Sequence, residues 1–285
     1  MKYLKGRYFH SEIKEGIYLI GCQFLEEGLI PSWNEMGDQI RFGPPTGNSW
    51  LIVGEEKGLL IDSCAPVEGL KEYVESLAGK RVDILISHGH YDHIFMVSEF
   101  SSLYLHEKDL PLFHGYLGFP EYEDIPEELH FLEEGDEIDL GNRILQVYHI
   151  EGHSNGSIML LDKKSGILFS GDSIARRILL YDIDESKVVS YFNKIRKMKE
   201  EPFDLICSAH DRIPLHKEYI DFMFDHLDRI SLSYERRKLF EGRFGEFYSL
   251  KLGDESTEEY LNCSILCEYR NVLLKTIDDI RRMEK

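Results

Sequence analysis

The stretch of the chain richest in metal-ligand residue types is 87–93, with the sequence Ser-His-Gly-His-Tyr-Asp-His. Three histidines and a carboxylate fall within six residues there, and imidazole and carboxylate are ligands that zinc and neighbouring divalent metals accept. The preceding residues 82–86 are apolar and β-branched, which predicts a buried parallel strand. Because ligands of open α/β sheets gather where strands end, the pattern predicts a metal site rather than an exposed polar turn. The candidate ligands are His88, His90, Asp92 and His93.

Other predicted strands also end in residues that can hold a metal. His153 lies in a tight loop after the predicted strand 143–150, Asp172 follows 166–169, and His210 follows 203–207. The remaining histidines of this region have no partners at ligand spacing. We interpret them as core or surface residues: His106, His114, His130 and His149.

Taken together, these motifs resemble those of the metallo-β-lactamase superfamily. The matching segments are His-x-His-x-Asp-His at 88–93, Gly-His-x-x-Gly-Ser at 152–157 and Ser-Gly-Asp at 170–172. A hairpin ending in Asp62 and the strand-end His210 complete the order over residues 48–211. The resemblance implies an α/β (α+β) fold, a four-layer αβ/βα sandwich. We expect it to occupy 1–213, followed by a helical extension at 214–285.

The resemblance also implies the role of each site residue. The first metal would take His88, His90 and His153. The second would take Asp92, His93 and His210. Asp172 would bridge both metals, and Asp62 would orient the ligand loop. Two divalent ions are expected, with zinc as the first choice and iron or manganese as alternatives.

Such a site resembles those of glyoxalase II thioesterases and acyl-homoserine-lactone hydrolases. It implies hydrolysis of a small ester, thioester or lactone by a hydroxide held between the metals, with Asp92 and Asp172 as catalytic residues. A phosphodiesterase of the same fold and a mononuclear iron dioxygenase of the persulfide type are the alternatives. A binding protein with a vestigial site is a third possibility, which the complete ligand set disfavours.

Composition limits the partners. The 285 residues carry a formal net charge of −19, which repels phosphate backbones and anionic membranes, so we expect a small-molecule substrate and neither a nucleic acid nor a membrane. The sequence shows no run of about 18 apolar residues and no secretory signal. Five scattered cysteines favour reduced thiols. These features predict a cytoplasmic protein.

Two departures from the family pattern bear on the substrate. Where many relatives have a Gly-Gly pair after the last histidine of the motif, this chain has Ile94-Phe95-Met96, and we expect Phe95 to narrow the pocket. Arg176 and Arg177 follow Asp172 closely and are candidates to meet an anionic group of the substrate, or else are solvated charges. We expect the aromatic segments 23–47 and 106–130 to cover the site.

The predicted helices of 214–285 rest on two apolar stripes, one over 219–230 and one over 266–280. They could pack on the sandwich, close over the site or form a homodimer contact. Cys263 and Cys267 lie four apart, which indicates helix packing rather than a ligand pair.

Overall fold

The structure is a computed structural model that describes residues 5–24, 47–114, 122, 124–180, 185–211, 213–225, 231–240, 243–252 and 263–267. Within these ranges it has three α-helices: α1 (Leu70–Ala78), α2 (Glu185–Lys197) and α3 (Glu218–Asp225). Short 3₁₀ helices occupy Tyr91–His93, Val97–Glu99, Glu107–His114 and Met198–Glu200. No helix of the described residues is long and apolar enough to cross a membrane.

Most strands form two sheets. The first contains, in spatial order, β1 (Gly6–Lys14), β2 (Ile17–Phe24), β3 (Ser49–Val53), β4 (Gly58–Ile61), β5 (Val82–Leu85), β6 (Ser102–Leu105) and β7 (Glu128–Phe131). The second contains β8 (Glu137–Asp139), β9 (Ile144–His149), β10 (Ile158–Asp162), β11 (Ile167–Gly171), β13 (Leu205–Ser208) and β14 (Leu215–His216), with spatial order β14-β13-β11-β10-β9-β8. Strands β4 to β7 run parallel, as do β11 and β13.

Three apolar clusters separate the layers. The central cluster lies between the two sheets and joins Trp50 of β3 to Phe169 of β11, with ring centroids 6.1 Å apart. On the outer face of the first sheet, Leu70 and Val74 of α1 are buried. Tyr191 and its neighbours on α2 and α3 cover the outer face of the second sheet. Helix, sheet, sheet and helix therefore follow one another, which confirms the predicted αβ/βα sandwich.

The start of α1 is stabilised by a carboxylate from a distant part of the chain. The Glu99 side chain accepts hydrogen bonds from the backbone N–H groups of Gly69 (2.6 Å) and Lys71 (2.8 Å). These donors have no partner inside the helix, and a negative charge is favourable at a helix N-terminus. Glu99 thereby links α1 to the segment that follows the motif at 88–93.

The predicted helical extension is wrong over most of the described C-terminal residues. Helix α3 is present, but β15 (Ser231–Phe240), β16 (Arg243–Leu252) and β17 (Cys263–Cys267) follow it as strands. They form a third sheet, in the order β12-β17-β16-β15, with β12 (Arg177–Leu180). Short apolar runs fit helix and strand periods equally, and a two-residue hairpin connection between β15 and β16 favours strands.

Several other expectations can be compared with the structure. Cys263 and Cys267 lie on a strand, not on a helix. Strand β12 before the proposed boundary at 213 pairs with β17 after it, and the division into two domains stays a prediction. Of the two expected covering segments, 25–46, 115–121 and 123 lie outside the described residues. The second segment contains the 3₁₀ helix Glu107–His114 and β7.

Trp50 provides a test of the central core. It is 2% exposed, and its indole N–H donates to the carbonyl of Ser208 on the other sheet at 3.0 Å. We expect Trp50→Ala to lower the free energy of unfolding by about 3–5 kcal/mol, measured by denaturant titration. The aromatic control Phe131→Ala, at a position 46% exposed on β7, should lower it by about 0.5 kcal/mol or less. Equal losses would contradict this account of the core.

Candidate metal centre

All the predicted ligands lie where strands of the two sheets end. Asp62 follows β4, and residues 88–93 follow β5. From the second sheet, His153 lies between β9 and β10, Asp172 follows β11, and His210 follows β13. The carboxyl ends of parallel strands meet at one edge of a sheet, so the sandwich brings together side chains up to 148 positions apart (62 to 210).

Close backbone approach holds the strand ends of the two sheets together. The amide of Ile158 in the second sheet donates to the carbonyl of Ser87 after β5 of the first sheet at 2.8 Å. Within the second sheet, the amide of Ala209 donates to the carbonyl of Gly171 at 3.0 Å and aligns the ends of β13 and β11. Gly171 has a φ of +51°, and a Cβ there would lie 2.3 Å from the Ser87 hydroxyl oxygen. A glycine is therefore required directly before Asp172.

The first group of donors consists of His88, His90 and His153. His153 Nε2 lies 2.8 Å from His90 Nδ1 and 3.1 Å from His88 Nε2. His153 Nδ1 lies 2.8 Å from the carbonyl oxygen of Leu179, which can only accept, so this nitrogen carries the proton. The lone pair of His153 Nε2 therefore points towards the other two imidazoles. The structure brings together the three residues predicted for the first metal.

The second group consists of Asp92, His93 and His210. Asp92 Oδ2 lies 3.8 Å from His93 Nε2 and 3.5 Å from His210 Nε2. These separations exceed those of good hydrogen bonds, and the three ligand-type atoms lie within 4.8 Å of one another. The side chain of Asp92 is 18% exposed and that of His210 is 34% exposed, so this group faces solvent more than the first.

Asp172 lies between the two groups. Its Oδ2 is 3.4 Å from His153 Nε2 of the first group and 3.3 Å from His210 Nε2 of the second. Its Oδ1 is 3.6 Å from His93 Nε2. Burial opposes its ionisation, but the neighbouring His210 and His93 hold the pKa of this carboxyl well below its usual range. One anionic side chain thus reaches ligand-type atoms of both groups.

Asp62 supports the ligand loop from behind. Its carboxylate accepts hydrogen bonds from the amide of Ser87 (2.6 Å) and the Ser87 hydroxyl (2.8 Å), and it lies 3.0 Å from His93 Nδ1. The last contact places the proton on Nδ1 and leaves Nε2 of His93 free to bind a metal. Asp62 has a φ of 62°, a left-handed conformation that aspartate tolerates better than most residues.

The donor set fits divalent cations. Within the described residues, His93 Nε2 and Asp172 Oδ1 are buried without a hydrogen-bond partner, which is costly unless another species satisfies them. Burial, together with neighbouring histidines, lowers the pKa values of His88 and His90 well below 6.5, so both rings are neutral at neutral pH. Neutral imidazole and ionised carboxylate are the forms that bind metals.

The residues expected to contact substrate are placed differently. Phe95 is 5% exposed within the cluster outside the first sheet, with its carbonyl accepting from the Tyr122 hydroxyl at 2.8 Å. Phe95 therefore packs in the core and does not narrow the pocket as expected. The 3₁₀ turn Tyr91–His93 directs the residues that follow it into the core. The guanidinium of Arg176 lies 3.8 Å from the Asp211 carboxylate. The side chain of Arg177 lies outside the described part of the chain.

His149 lies at the end of β9 and not within either donor group. Its Nε2 is 2.9 Å from the carbonyl oxygen of Asn155, and its ring stacks on His106 with centroids 4.0 Å apart. Burial lowers the pKa of His149 to about 4. These contacts agree with the interpretation of both histidines as structural.

Two buried carboxylates near the site were missed from the sequence. Asp109 accepts hydrogen bonds from residues of both ligand-bearing loops, and Asp211 accepts from the Ser208 hydroxyl (2.7 Å) and the amide of Arg176 (3.1 Å). Asp211 directly follows a ligand candidate, so its position was a usable signal. Asp109 lies in a segment without a clear period, and only its position after the β6 strand end marks it.

A family model for the metallo-beta-lactamase superfamily matches residues 42–210, more than half of the chain. The chain belongs to the metallo-β-lactamase superfamily. The acyl-coenzyme A thioesterase MBLAC2 of Homo sapiens is 26% identical over 227 residues, covering 68% of this chain and 76% of that protein. The hydroxyacylglutathione hydrolase of Vibrio campbellii is 29% identical over 164 residues, covering 57% of this chain and 60% of that protein. This superfamily member is a metal-dependent hydrolase of the glyoxalase II-like kind.

Solved structures show the same fold. A metallo-beta-lactamase from Pontibacter korlensis superposes with a TM-score of 0.57 at 13% identity, covering 75% of this chain and 96% of that one. The protein TTHA1623, in a di-iron-bound form, gives a TM-score of 0.50 at 24% identity, covering 63% of this chain and 94% of that one. The superfamily fold implies divalent metal ions, and the clusters of histidine and aspartate described above are where this chain can hold them.

The environment of His149 predicts a pH dependence. Its folded-state pKa of about 4 lies below the value of 6.5 for an exposed histidine. The unfolded chain therefore binds more protons between these values, and the free energy of unfolding should fall as pH falls from 6.5 towards 4. NMR titration of the His149 ring should give a midpoint near 4, and His149→Gln should remove this part of the pH dependence. A midpoint near 6.5 would contradict the burial described here.

Proposed function

We propose that this protein is a binuclear metal-dependent hydrolase of small thioesters. The observation that carries the proposal is the position of Asp172, whose carboxylate lies 3.3–3.6 Å from nitrogens of both donor groups. A carboxylate in that position could contact two cations at once, one held by each donor group. His88, His90 and His153 would hold one ion, and Asp92, His93 and His210 the other. Zinc is the expected metal, with iron and manganese as alternatives.

When bound, two divalent cations supply Lewis acidity, lowering the pKa of a water molecule to about 7 and polarising a carbonyl group. The other steps fall to side chains of this protein. Asp172 and Asp92 supply negative charge that balances the cations, and Asp62 keeps the His93 ring oriented. The more exposed Asp92 is placed to accept a proton from the attacking water and pass it to the leaving group.

The alternative of a thiol nucleophile at this site is disfavoured. Cys64 is buried beside Asp62 and His93, with ligand-type atoms of the three residues within 4.8 Å of one another. Burial raises the pKa of its thiol to about 12, so it is protonated at neutral pH, and only the thiolate is an effective nucleophile. Covalent catalysis by Cys64 is therefore unfavourable, which supports attack by water.

The thioester class is supported by the named relatives. One is an acyl-coenzyme A thioesterase and another is a hydroxyacylglutathione hydrolase, and both names describe an acyl group on a thiol carrier. A thiol has a pKa near 8.5, so its thiolate leaves with little help from a general acid. A thioester substrate therefore suits this site, where Asp92 is the main group proposed to carry a proton to the leaving group. The net charge of −19 disfavours a nucleic-acid substrate, because it repels the long phosphate backbone.

A substrate panel tests this class. Acyl-coenzyme A and acylglutathione thioesters should be hydrolysed with higher kcat/KM than matched oxygen esters, lactones and phosphodiesters. A preference for the phosphodiester would replace the proposal with the nuclease-type alternative. Oxygen consumption with a persulfide and one iron per chain would replace it with the dioxygenase.

One prediction of this proposal concerns the number of metals. Elemental analysis of the purified protein should give about two ions per chain, because the two predicted sets of ligands, one with His88 and one with His210, are both brought together. His88→Ala and His210→Ala, which each remove a donor from one group only, should each reduce the count to about one. The binuclear arrangement would be overturned if the wild type binds one metal ion per chain and only one of the two variants loses that ion.

A second prediction concerns Asp172. An amide carries no negative charge, so Asp172→Asn should lower kcat by roughly 100-fold or more, beyond the 10- to 100-fold typical of outer-shell losses. Circular dichroism should show an unchanged fold. The control Asp204→Asn, at an exposed carboxylate before the start of β13 and away from the site, should keep wild-type turnover. Wild-type turnover of Asp172→Asn with full metal loading would show that Asp172 does not bridge.

A further inference from the structure

Asp109 is a carboxylate buried between the two loops that carry the first donor group. It lies in the 3₁₀ helix Glu107–His114 and is 1% exposed. Asp109 was not among the ligands or supports expected for this fold. A carboxylate so deeply buried is costly unless its oxygens accept several hydrogen bonds.

Three hydrogen bonds satisfy the Asp109 carboxylate. Its Oδ2 accepts from the amide of Gly89 at 2.9 Å and from the hydroxyl of Ser154 at 2.7 Å. Its Oδ1 accepts from the amide of Gly156 at 2.6 Å. Gly89 belongs to the loop after β5 of the first sheet, while Ser154 and Gly156 belong to the loop between β9 and β10 of the second. One side chain therefore ties together loops from the two halves of the sandwich.

These contacts lie next to the ligands of one donor group only. Gly89 lies between His88 and His90, and Ser154 directly follows His153. Among the hydrogen bonds of the described residues, those of Asp109 reach Gly89, Ser154 and Gly156 and do not touch the second group. Asp62 instead contacts His93 of that group. Asp62 also accepts hydrogen bonds from Ser87, next to His88, so it contacts the loops of both groups, whereas Asp109 contacts residues next to the first group only.

The sequence provides room for this contact. A Cβ on Gly156 would lie 2.7 Å from the carboxyl carbon and Oδ1 of Asp109, and one on Gly89 would lie 2.7 Å from the Asp109 carbonyl oxygen. Real side chains do not approach so closely, so both loops can reach Asp109 only as glycine. Gly156→Ala should therefore displace the carboxylate while leaving its charge in the protein.

We propose that Asp109 is a positioning residue that raises the affinity of the first metal site, formed by His88, His90 and His153, without acting on the second. This inference rests on the proposed binuclear function. An amide at 109 would turn a donor towards one of the backbone N–H groups of Gly89 or Gly156, so Asp109→Asn breaks the arrangement with almost no change of volume. Without the hydrogen bonds of the Asp109 carboxylate, the loops carrying His90 and His153 are held together less firmly.

The test measures zinc affinity at each site separately by competition with a chromophoric chelator. In the His210→Ala background, which isolates the first site, Asp109→Asn should weaken zinc binding by roughly 10- to 100-fold. In the His88→Ala background, which isolates the second, it should change affinity by no more than about twofold. Gly156→Ala should also weaken zinc binding at the first site and not at the second. This second variant allows the test to be made if Asp109→Asn does not fold.

The matched control is Asp162→Asn. Asp162 is a fully buried carboxylate that accepts from the amides of Lys164 and Ser165, at the opposite end of β10 from the site. Its replacement should lower thermal stability and leave both affinities unchanged. Equal weakening of both sites by Asp109→Asn, or no weakening of the first, would overturn the inference. The zinc content of the wild type separately decides the binuclear function, so the two failures are distinguishable.

Discussion

The rest of the structure depends on the convergence of imidazole and carboxylate donors at one end of the sandwich. Nitrogen atoms of three histidines lie 2.8–3.1 Å apart, and Asp172 lies within 3.6 Å of three histidine rings. Lone pairs at such distances repel one another unless protons or cations lie among them. His88 and His90 are neutral, because burial lowers their pKa values, and neutral imidazole is the form that binds a divalent cation.

Holding such a cluster requires rigid support, and the support comes from both sheets. The central core, with Trp50 and Phe169 in contact across the sandwich, sets the relative position of the sheets. Close approach at Gly171 then brings Asp172 next to the loop of the first sheet. Asp62 and Asp109 then support the loops that carry the ligands, since each accepts hydrogen bonds from backbone N–H groups of a loop. Core packing, close backbone contacts and buried carboxylates therefore all help to fix the positions of the candidate metal ligands.

The C-terminal chain is also connected to the site. Strand β12 pairs with β17, and the carbonyl of Leu179 on β12 accepts a hydrogen bond from the Nδ1–H of His153. Strand β17 lies more than 80 residues after β12 in the sequence. Its pairing with β12 therefore connects the C-terminal chain to the strand that fixes the tautomer of His153. This arrangement explains how a third sheet can matter to the site without supplying a ligand to it.

The sequence by itself determined the αβ/βα fold, the superfamily and the seven candidate ligands, because ligand types at strand ends are local patterns that short segments carry. The secondary structure of β15, β16 and β17 was decided otherwise, since short apolar runs fit helix and strand alike and pairing within the third sheet settles the choice. Phe95 looked like a pocket residue in the sequence, yet the turn after His93 buries it. Asp109 acquires its role only when two loops from different sheets meet, and distance along the chain hides that contact. Tertiary structure alone showed that the Asp109 carboxylate joins the loops of His90 and His153, because hydrogen bonds across the sandwich have no local signature.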